Sequence, residues 1–526
     1  MLYIGYMKRT FSALLVFALL FLVHAPLLHA ASASSKAPFK ETMSAADLKE
    51  KYQEADAGDK VRILVVPGHE PGFGGTQYDG YYERELVVPI ADTLATELRK
   101  DPRLEVLVAR GNEGWNDDLD RYFDRSMKSV KKFVDAQKKA MHKLLKKGKI
   151  EENDEQASHN AASEDVALRL YGITKWANDH EVDLMVHIHL NDTGGHADDE
   201  PGAHTGLTIY VPDRQYGNAK ASRAIAVPVF KHLNAFNATS TLPIEDKGIV
   251  EDQELIALGA YNTSEVPSLL IEYGYIYEPK FLNSETRMAV TRDLAYQTAR
   301  GIKEFFGADT SAKYETHALP HTFVADIAAT TTSASASQAS HGLYALQAAL
   351  KDQGSYPPAP ATLTNCPIDG VMRPCVTDAV RDFQKNKGLA STGTLDLATR
   401  NALNAIFSSM PVAFLPPAAL PPAPSVIAPV AASPVSEKAC APFKAAKLAM
   451  NSTDAMTDGE VSRLQAILAK DPAVYPLGSV TGFYGPATDK AVKAFQLKAK
   501  LAAPGSAGYG LVGPATRAAL AKACTN

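Results

Sequence analysis

The sequence predicts an α/β module, a mixed sheet flanked by helices, followed by two small all-α three-helix domains. Three observations predict it. Between residues 61 and 307, short apolar runs of strand length alternate with longer segments whose apolar residues recur at helical spacing. Beyond that module the chain twice passes through a stretch too poor in large apolar residues to bury a core. After each such stretch the same succession of residues returns, the mark of a duplicated domain rather than a solenoid. At 526 residues the chain is too long for one core.

Residues 1–33 read as a targeting segment. Lys8-Arg9 precede an apolar run from Phe11 to Val23, and Ala31-Ser32-Ala33 offers a cleavage site, with Ala30 as a second candidate. The run is shorter than the roughly 20 apolar residues a spanning helix needs. The mature chain is therefore expected to be exported and to keep no membrane anchor. Residues 34–60 read as a polar leader. The first module follows: strand 61–66, helix 82–99, strand 104–109, helix 163–180, strands 182–190 and 205–211, helix 217–236, strand 267–273 and helix 287–306. A helical insert is expected over 117–160.

Residues 308–340 are rich in Ala, Ser and Thr and read as a linker. Residues 411–439 form a second linker, rich in Pro and Ala and so stiffer. The domains between and after them, 341–410 and 440–526, match each other. Leu346-Gln347 answers to Leu464-Gln465, Ala379-Val380 and Phe383-Gln384 to Ala491-Val492 and Phe495-Gln496, and Ala398-Thr399-Arg400 to Ala515-Thr516-Arg517. Each pattern sets apolar residues at helical spacing, giving three short helices around one core.

Composition excludes some functions. A formal net charge of −5, with 54 Lys+Arg against 59 Asp+Glu, gives no basis for nucleic-acid binding. The four cysteines contain no Cys-x-x-Cys spacing, which argues against a zinc ribbon and fits an oxidising compartment. Cys366 and Cys375 fall in one predicted loop, and Cys440 and Cys524 bracket the second repeat. Bridges Cys366–Cys375 and Cys440–Cys524 are expected.

The chemistry-bearing residues sit at strand and helix ends. His69 follows the apolar run Val61-Arg62-Ile63-Leu64-Val65-Val66 through the turn Pro67-Gly68. Glu83 opens a helix and shares a face with Val87, Ile90 and Leu94; Glu85 lies about 200° around, on the solvent side. His187 and His189 are two apart on a strand and point to one face. Glu272 ends the apolar strand Leu269-Leu270-Ile271. Two histidines and a carboxylate leave zinc an open fourth position, and a further acid can serve as base. The triad is His69, Glu83 and His189, or alternatively His69, His187 and His189. His196 and His204 lie in the loop Asp192 to Gly206 and read as solvated.

In order and spacing these segments resemble the zinc-dependent N-acetylmuramoyl-L-alanine amidases, which cut between glycan and stem peptide in peptidoglycan. The resemblance rests on Pro67-Gly68-His69, on Glu83 at a helix start, on His189-Leu190-Asn191 and on Pro267 to Gly274, and covers roughly residues 60–307. The chain departs from the family pattern in Val66 before the turn, in Glu70-Pro71 after His69 and in the insert. The resemblance implies Zn2+ on His69, Glu83 and His189, with Glu272 taking a proton from water and returning it to the departing amine. The repeats resemble the small peptidoglycan-binding domain appended to wall hydrolases, and this resemblance supplies their binding role. The expected partner is peptidoglycan and the expected state a monomer. The alternatives are another zinc peptidase acting on stem peptides and a non-catalytic wall-binding protein.

Within the insert, nine lysines and the single acid Asp135 fall between Lys128 and Lys149, over apolar residues at helical spacing. A surface helical hairpin with a solvated face is expected; the alternative is a lid or a dock for anionic wall polymer.

Overall fold

The computed structural model describes residues 39–55, 59–153, 163–308 and 339–407, and parts of 443–525. The targeting segment lies outside the described residues, as does nearly all of both linkers.

The first module is built on a six-stranded sheet. Its strands are β1 (Val61–Pro67), β4 (Leu104–Val108), β5 (Leu184–Asn191), β6 (Thr208–Pro212), β7 (Ile249–Asp252) and β8 (Ser268–Tyr275). The order is β4-β1-β5-β8-β6-β7. All neighbours run parallel except β6 and β8, which are antiparallel. The central strands β1, β5 and β8 are almost wholly buried, which is why they read as unbroken apolar runs rather than alternating ones. Helices α2 (Glu83–Leu98), α5 (Ala219–Asn234) and α7 (Ser284–Phe305) pack together on one face. Helices α3 (Asp117–Lys146) and α4 (Glu164–Asp179) pack on each other beside the other face, around Phe123, Ile173 and Trp176. A short α6 (Pro279–Leu282) precedes α7.

Several sequence expectations are corrected. The leader is not merely polar: it contains α1 (Ala45–Glu54), started by a capping box between Ser44 and Asp47. Leu48 and Tyr52, one helical turn apart, are buried, and Tyr52 stacks on Phe306 at 4.5 Å between ring centroids. Lys51 reaches the buried Asp183 at 2.7 Å. Charged residues on the outer face masked this two-residue apolar stripe. Residues 117–146 of the insert form one 30-residue helix, with no hairpin turn inside it. Asn116 caps its first turn and its apolar stripe runs unbroken to Met141, so nothing folds the segment back within it; residues 154–162 lie outside the described residues. Strand β7 and the two-residue strands β2 (Gln77–Tyr78) and β3 (Tyr81–Tyr82) were not expected. They are too short to carry a period, and only pairing defines them.

Each repeat has three helices: α8 (His341–Asp352), α9 (Pro374–Asn386) and α10 (Leu397–Phe407), then α11 (Glu460–Leu468), α12 (Pro486–Lys498) and α13 (Pro514–Thr525). Gln347 and Gln384 in the first repeat, and Gln496 in the second, are buried and hydrogen-bonded to loop backbone. In the first repeat the Leu-Gln and Phe-Gln pairs thus bury an apolar residue beside an amide that ties down the loops. Cys366 and Cys375 are bonded; Cys440 lies outside the described residues. The first repeat is not free of the module before it. Helix α8 packs on α7, and the Tyr344 hydroxyl donates to the buried Asp293 carboxylate at 3.2 Å.

Candidate active site

The carboxyl ends of β1 and β5, the start of α2 and the middle of β8 converge on one cleft. This edge of a mainly parallel sheet is where α/β folds place their sites, because the chain leaves each strand there into a free loop. The cleft has a volume of about 530 Å³ and is lined by His69, Glu83, His187, His189, Asn191 and Glu272, with apolar walls from α4 and from the turn Ile256–Leu258.

His69 leaves β1 with φ 67, a left-handed conformation rare for a residue with a side chain. Gly68 is required beside it, because a Cβ there would lie 2.4 Å from the His189 ring. Gly75, at φ +79, passes so close that a Cβ would meet the His69 ring at 2.9 Å and Glu83 at 3.2 Å.

His69, Glu83 and His189 present one donor atom each, all within 4.8 Å of one another. Glu83 is buried at the head of α2, while Glu85 is exposed. Glu83 Oε1 lies 3.0 Å from His189 Nδ1 and accepts the Leu190 amide at 3.0 Å. Its Oε2 lies 2.7 Å from His69 Nε2 and accepts the Thr76 amide at 3.2 Å. Burial pushes the Glu83 carboxyl up, but the charge of His69 and hydrogen bonds from both histidines outweigh it and hold the group below the usual carboxylate range. His69 Nε2 is buried, and the Glu83 carboxylate is the polar group it faces. Two imidazole nitrogens and an ionised carboxylate within 4.8 Å of one another fit a divalent cation of zinc's preferences.

Glu272 is paired in register with His189 across β5 and β8, a separation of about 4.8 Å between strands. It is buried, and its Oε2 has no hydrogen-bond partner among the described residues. Burial first, then the charges of Glu83 and Glu245, raise its pKa well above that of an ordinary carboxylate.

His187 is buried deeper along β5 and falls outside the cluster of three. Burial, and secondarily the charge of His189, lower its pKa to about 3, so it is neutral; its Nε2 has no hydrogen-bond partner among the described residues. His196 is not simply solvated: its Nε2 lies 2.8 Å from Asp192 Oδ1, and its ring meets that of Tyr277 edge-on. Asp192 in turn accepts the Thr76 hydroxyl, which ties this loop to the Glu83 loop. His204 is exposed. Glu70 is paired with Arg169 at 2.8 Å.

Two residues that motif reading missed frame the site. Arg110, 2% exposed, donates to the carbonyls of Pro67, Gly68, His69, Arg84 and Gly111. It clamps three successive residues of the His69 turn. Glu245 accepts from Asn191 at 2.8 Å, Tyr210 at 2.6 Å and Tyr275 at 3.1 Å, and so fixes the strand end after His189. Their partners are distant in sequence, so no local pattern marks them.

Comparison with known proteins adds the following. Residues 63–304 match the family model described as N-acetylmuramoyl-L-alanine amidase, and residues 341–403 and 457–520 each match that of a peptidoglycan binding domain. No curated protein matches the chain. Among solved structures, the N-acetylmuramoyl-L-alanine amidase of Clostridium difficile 630 is 20% identical with a TM-score of 0.30, and covers 48% of this chain and 100% of its own. The amidase Ami1 of Mycobacterium smegmatis is 17% identical with a TM-score of 0.31 and the same coverages. AmiC2 of Nostoc punctiforme is 17% identical with a TM-score of 0.30, again with 48% and 100% covered.

Proposed function

From the premise that residues 63–304 of this chain are an N-acetylmuramoyl-L-alanine amidase domain, followed by two peptidoglycan-binding domains, we propose that the enzyme is zinc-dependent, with His69, Glu83 and His189 as ligands and Glu272 as base. The observation that carries this reading is the clustering of three donor atoms within 4.8 Å beside a buried, partnerless carboxylate oxygen. When bound, zinc supplies a Lewis acid that acidifies water and polarises the scissile carbonyl. Glu272 accepts the proton of the attacking water and returns it to the departing L-alanine nitrogen. The raised pKa suits it to both halves of that exchange. The Arg110 clamp holds His69 at its strained dihedral, and Glu245 holds the β5 end, so both imidazoles are placed before substrate arrives.

The domain boundaries we propose are 61–307 for the catalytic domain and 341–410 and 440–526 for the wall-binding domains. An amidase with wall-binding domains acts at the cell wall, and we take the chain to be exported through its N-terminal segment and monomeric. Among the described residues no helix is long and apolar enough to cross a membrane.

Mass spectrometry of purified peptidoglycan digested with and without a chelator tests the reading. Intact stem peptides beginning with L-alanine should appear only without chelator and return when zinc is restored. Fragments cut within the stem would instead mean a peptidase, and release that survives chelation would remove the metal.

A further inference from the structure

The charge on α3 is segregated rather than scattered. At 100° per residue, Lys128, Lys132, Lys139, Lys143 and Lys146 fall within a roughly 60° arc and extend about 27 Å along the helix. All five are exposed, and none has an ion-pair partner among the described residues. The other two lysines of this stretch of helix are committed elsewhere. Lys131 faces Glu164 at 3.5 Å, and Lys138 lies over the rings of Tyr171 and Tyr261 at 5.8 and 5.2 Å. The opposite face, carrying Phe123, Val130, Val134 and Met141, is buried. Asp135 is the one acid between Lys128 and Lys149. Lys128 and Lys132 stand one turn apart, as do Lys139, Lys143 and Lys146; the exposed Asp135 occupies the turn between the two groups at the edge of the arc, so the ridge keeps an excess of positive charge that a partner of opposite sign relieves.

We propose that this lysine ridge binds the carboxylates of peptidoglycan stem peptides on the strand being cut or on its neighbour, as a docking surface separate from the two C-terminal domains. The proposal rests on the reading that peptidoglycan is the substrate. Three observations select this partner. The helix packs on α4, whose Val166, Leu170 and Ile173 line the catalytic cleft, so the ridge, on the outer face of α3, flanks the site of cleavage from two helix layers away. The substrate itself carries stem-peptide carboxylates, regularly spaced along the glycan, and a linear array of cations complements a linear array of anions. A lipid surface fits poorly: α3 turns its large apolar side chains inward, and no residue of the helix is among the exposed large hydrophobics, so nothing is offered to an acyl layer.

The test uses the full chain and a variant carrying Lys128→Gln, Lys132→Gln, Lys139→Gln and Lys143→Gln, which keeps helix propensity while removing four charges. Binding to sacculi stripped of attached phosphate polymers is measured by co-sedimentation over a range of salt. The variant should bind about tenfold more weakly at low salt and show a flatter salt dependence, the two proteins converging at high salt, as expected for exposed charge pairs. Amidating the sacculus carboxylates should weaken the parent to the level of the variant. Cleavage of a small soluble muramoyl-peptide should be equal in both; if the parent cleaves none, the functional reading fails and not the ridge. Equal binding by parent and variant overturns the proposal. So does a difference confined to walls still bearing phosphate polymers, or to vesicles of anionic lipid.

Discussion

At the scale of single residues, the site is a strained turn held by a buried cation. His69 adopts a left-handed φ that costs of the order of 1–3 kcal/mol. Arg110 offsets this by filling five carbonyl acceptors with a rigid fork. Arg110→Lys replaces the fork with a point charge of three donors. It should fold normally yet bind zinc about 10- to 100-fold more weakly, read by competition with a chromophoric chelator. His69→Ala or His189→Ala should lose zinc and turnover while the circular dichroism of the helices is unchanged; full zinc occupancy in both would sink the ligand assignment. Glu272→Gln keeps the shape and removes the proton acceptor. It should retain zinc and lose turnover by at least about 100-fold. Near-normal activity would move the base elsewhere, and Glu70 is a weak substitute because Arg169 already occupies it.

At the scale of elements, the informative contact is between α7 and α8. Asp293 is wholly buried there, and burial raises its carboxyl to about 7, against the hydrogen bonds of Gln297 and Tyr344 and the charges of Lys280 and Arg300. The sign follows from linkage. Between the ordinary value of 3.8 and about 7 the folded state holds a proton that the unfolded state has released. Stability is therefore full below the lower value and falls as pH rises through the window, by at most about 1.4 kcal/mol per pH unit. Thermal melts from pH 4 to 7.5 should show this loss, and Asp293→Asn should flatten it. A variant with an unchanged slope would mean that other groups set the dependence. The amphipathic patterns of α2, α4 and α5 were legible because each turns an apolar face toward the sheet, whereas α7 is buried on nearly every side and shows its helical length more than a stripe. The α1 stripe of Leu48 and Tyr52 was too short to stand out from a charged segment, and β7 too short to show alternation.

At the scale of the whole molecule, the first repeat is docked and not merely tethered. Beside the α7–α8 contact, a cleft of about 200 Å³ separates the modules, walled by Glu278 and Lys280 on one side and by Asp369 and Arg373 on the other. The buried Glu278–Lys280 pair and the half-buried Asp369–Arg373 pair lie on its two walls. A truncated protein ending near Gly307 should still cleave small soluble fragments and bind intact wall weakly, since the repeats raise local concentration rather than alter chemistry. It should also melt at lower temperature than the full chain, because removing α8 bares Asp293 and the α7 surface around it. A truncated form of equal stability would show that this contact contributes nothing in solution.

By itself the sequence determined the α/β module and the duplicated three-helix domains, and it singled out His69, Glu83, His187, His189 and Glu272 as candidates. Each of these is written in a short local signal: an apolar run, a helical period, a Pro-Gly turn, a carboxylate at an element's end. Only the tertiary structure decided what depends on residues far apart in the chain. Arg110 reaches carbonyls 26 to 43 residues away. Glu245 gathers Asn191 from 54 residues before it and Tyr275 from 30 residues after. Of the two histidines on β5, His189 stands within reach of Glu83 and His187 does not, because the strand carries one to the sheet's edge and leaves the other beneath it. Local pattern fixes which residues face a core. Which of them then meet is set by strand register and helix packing, and these follow from burying all the faces at once.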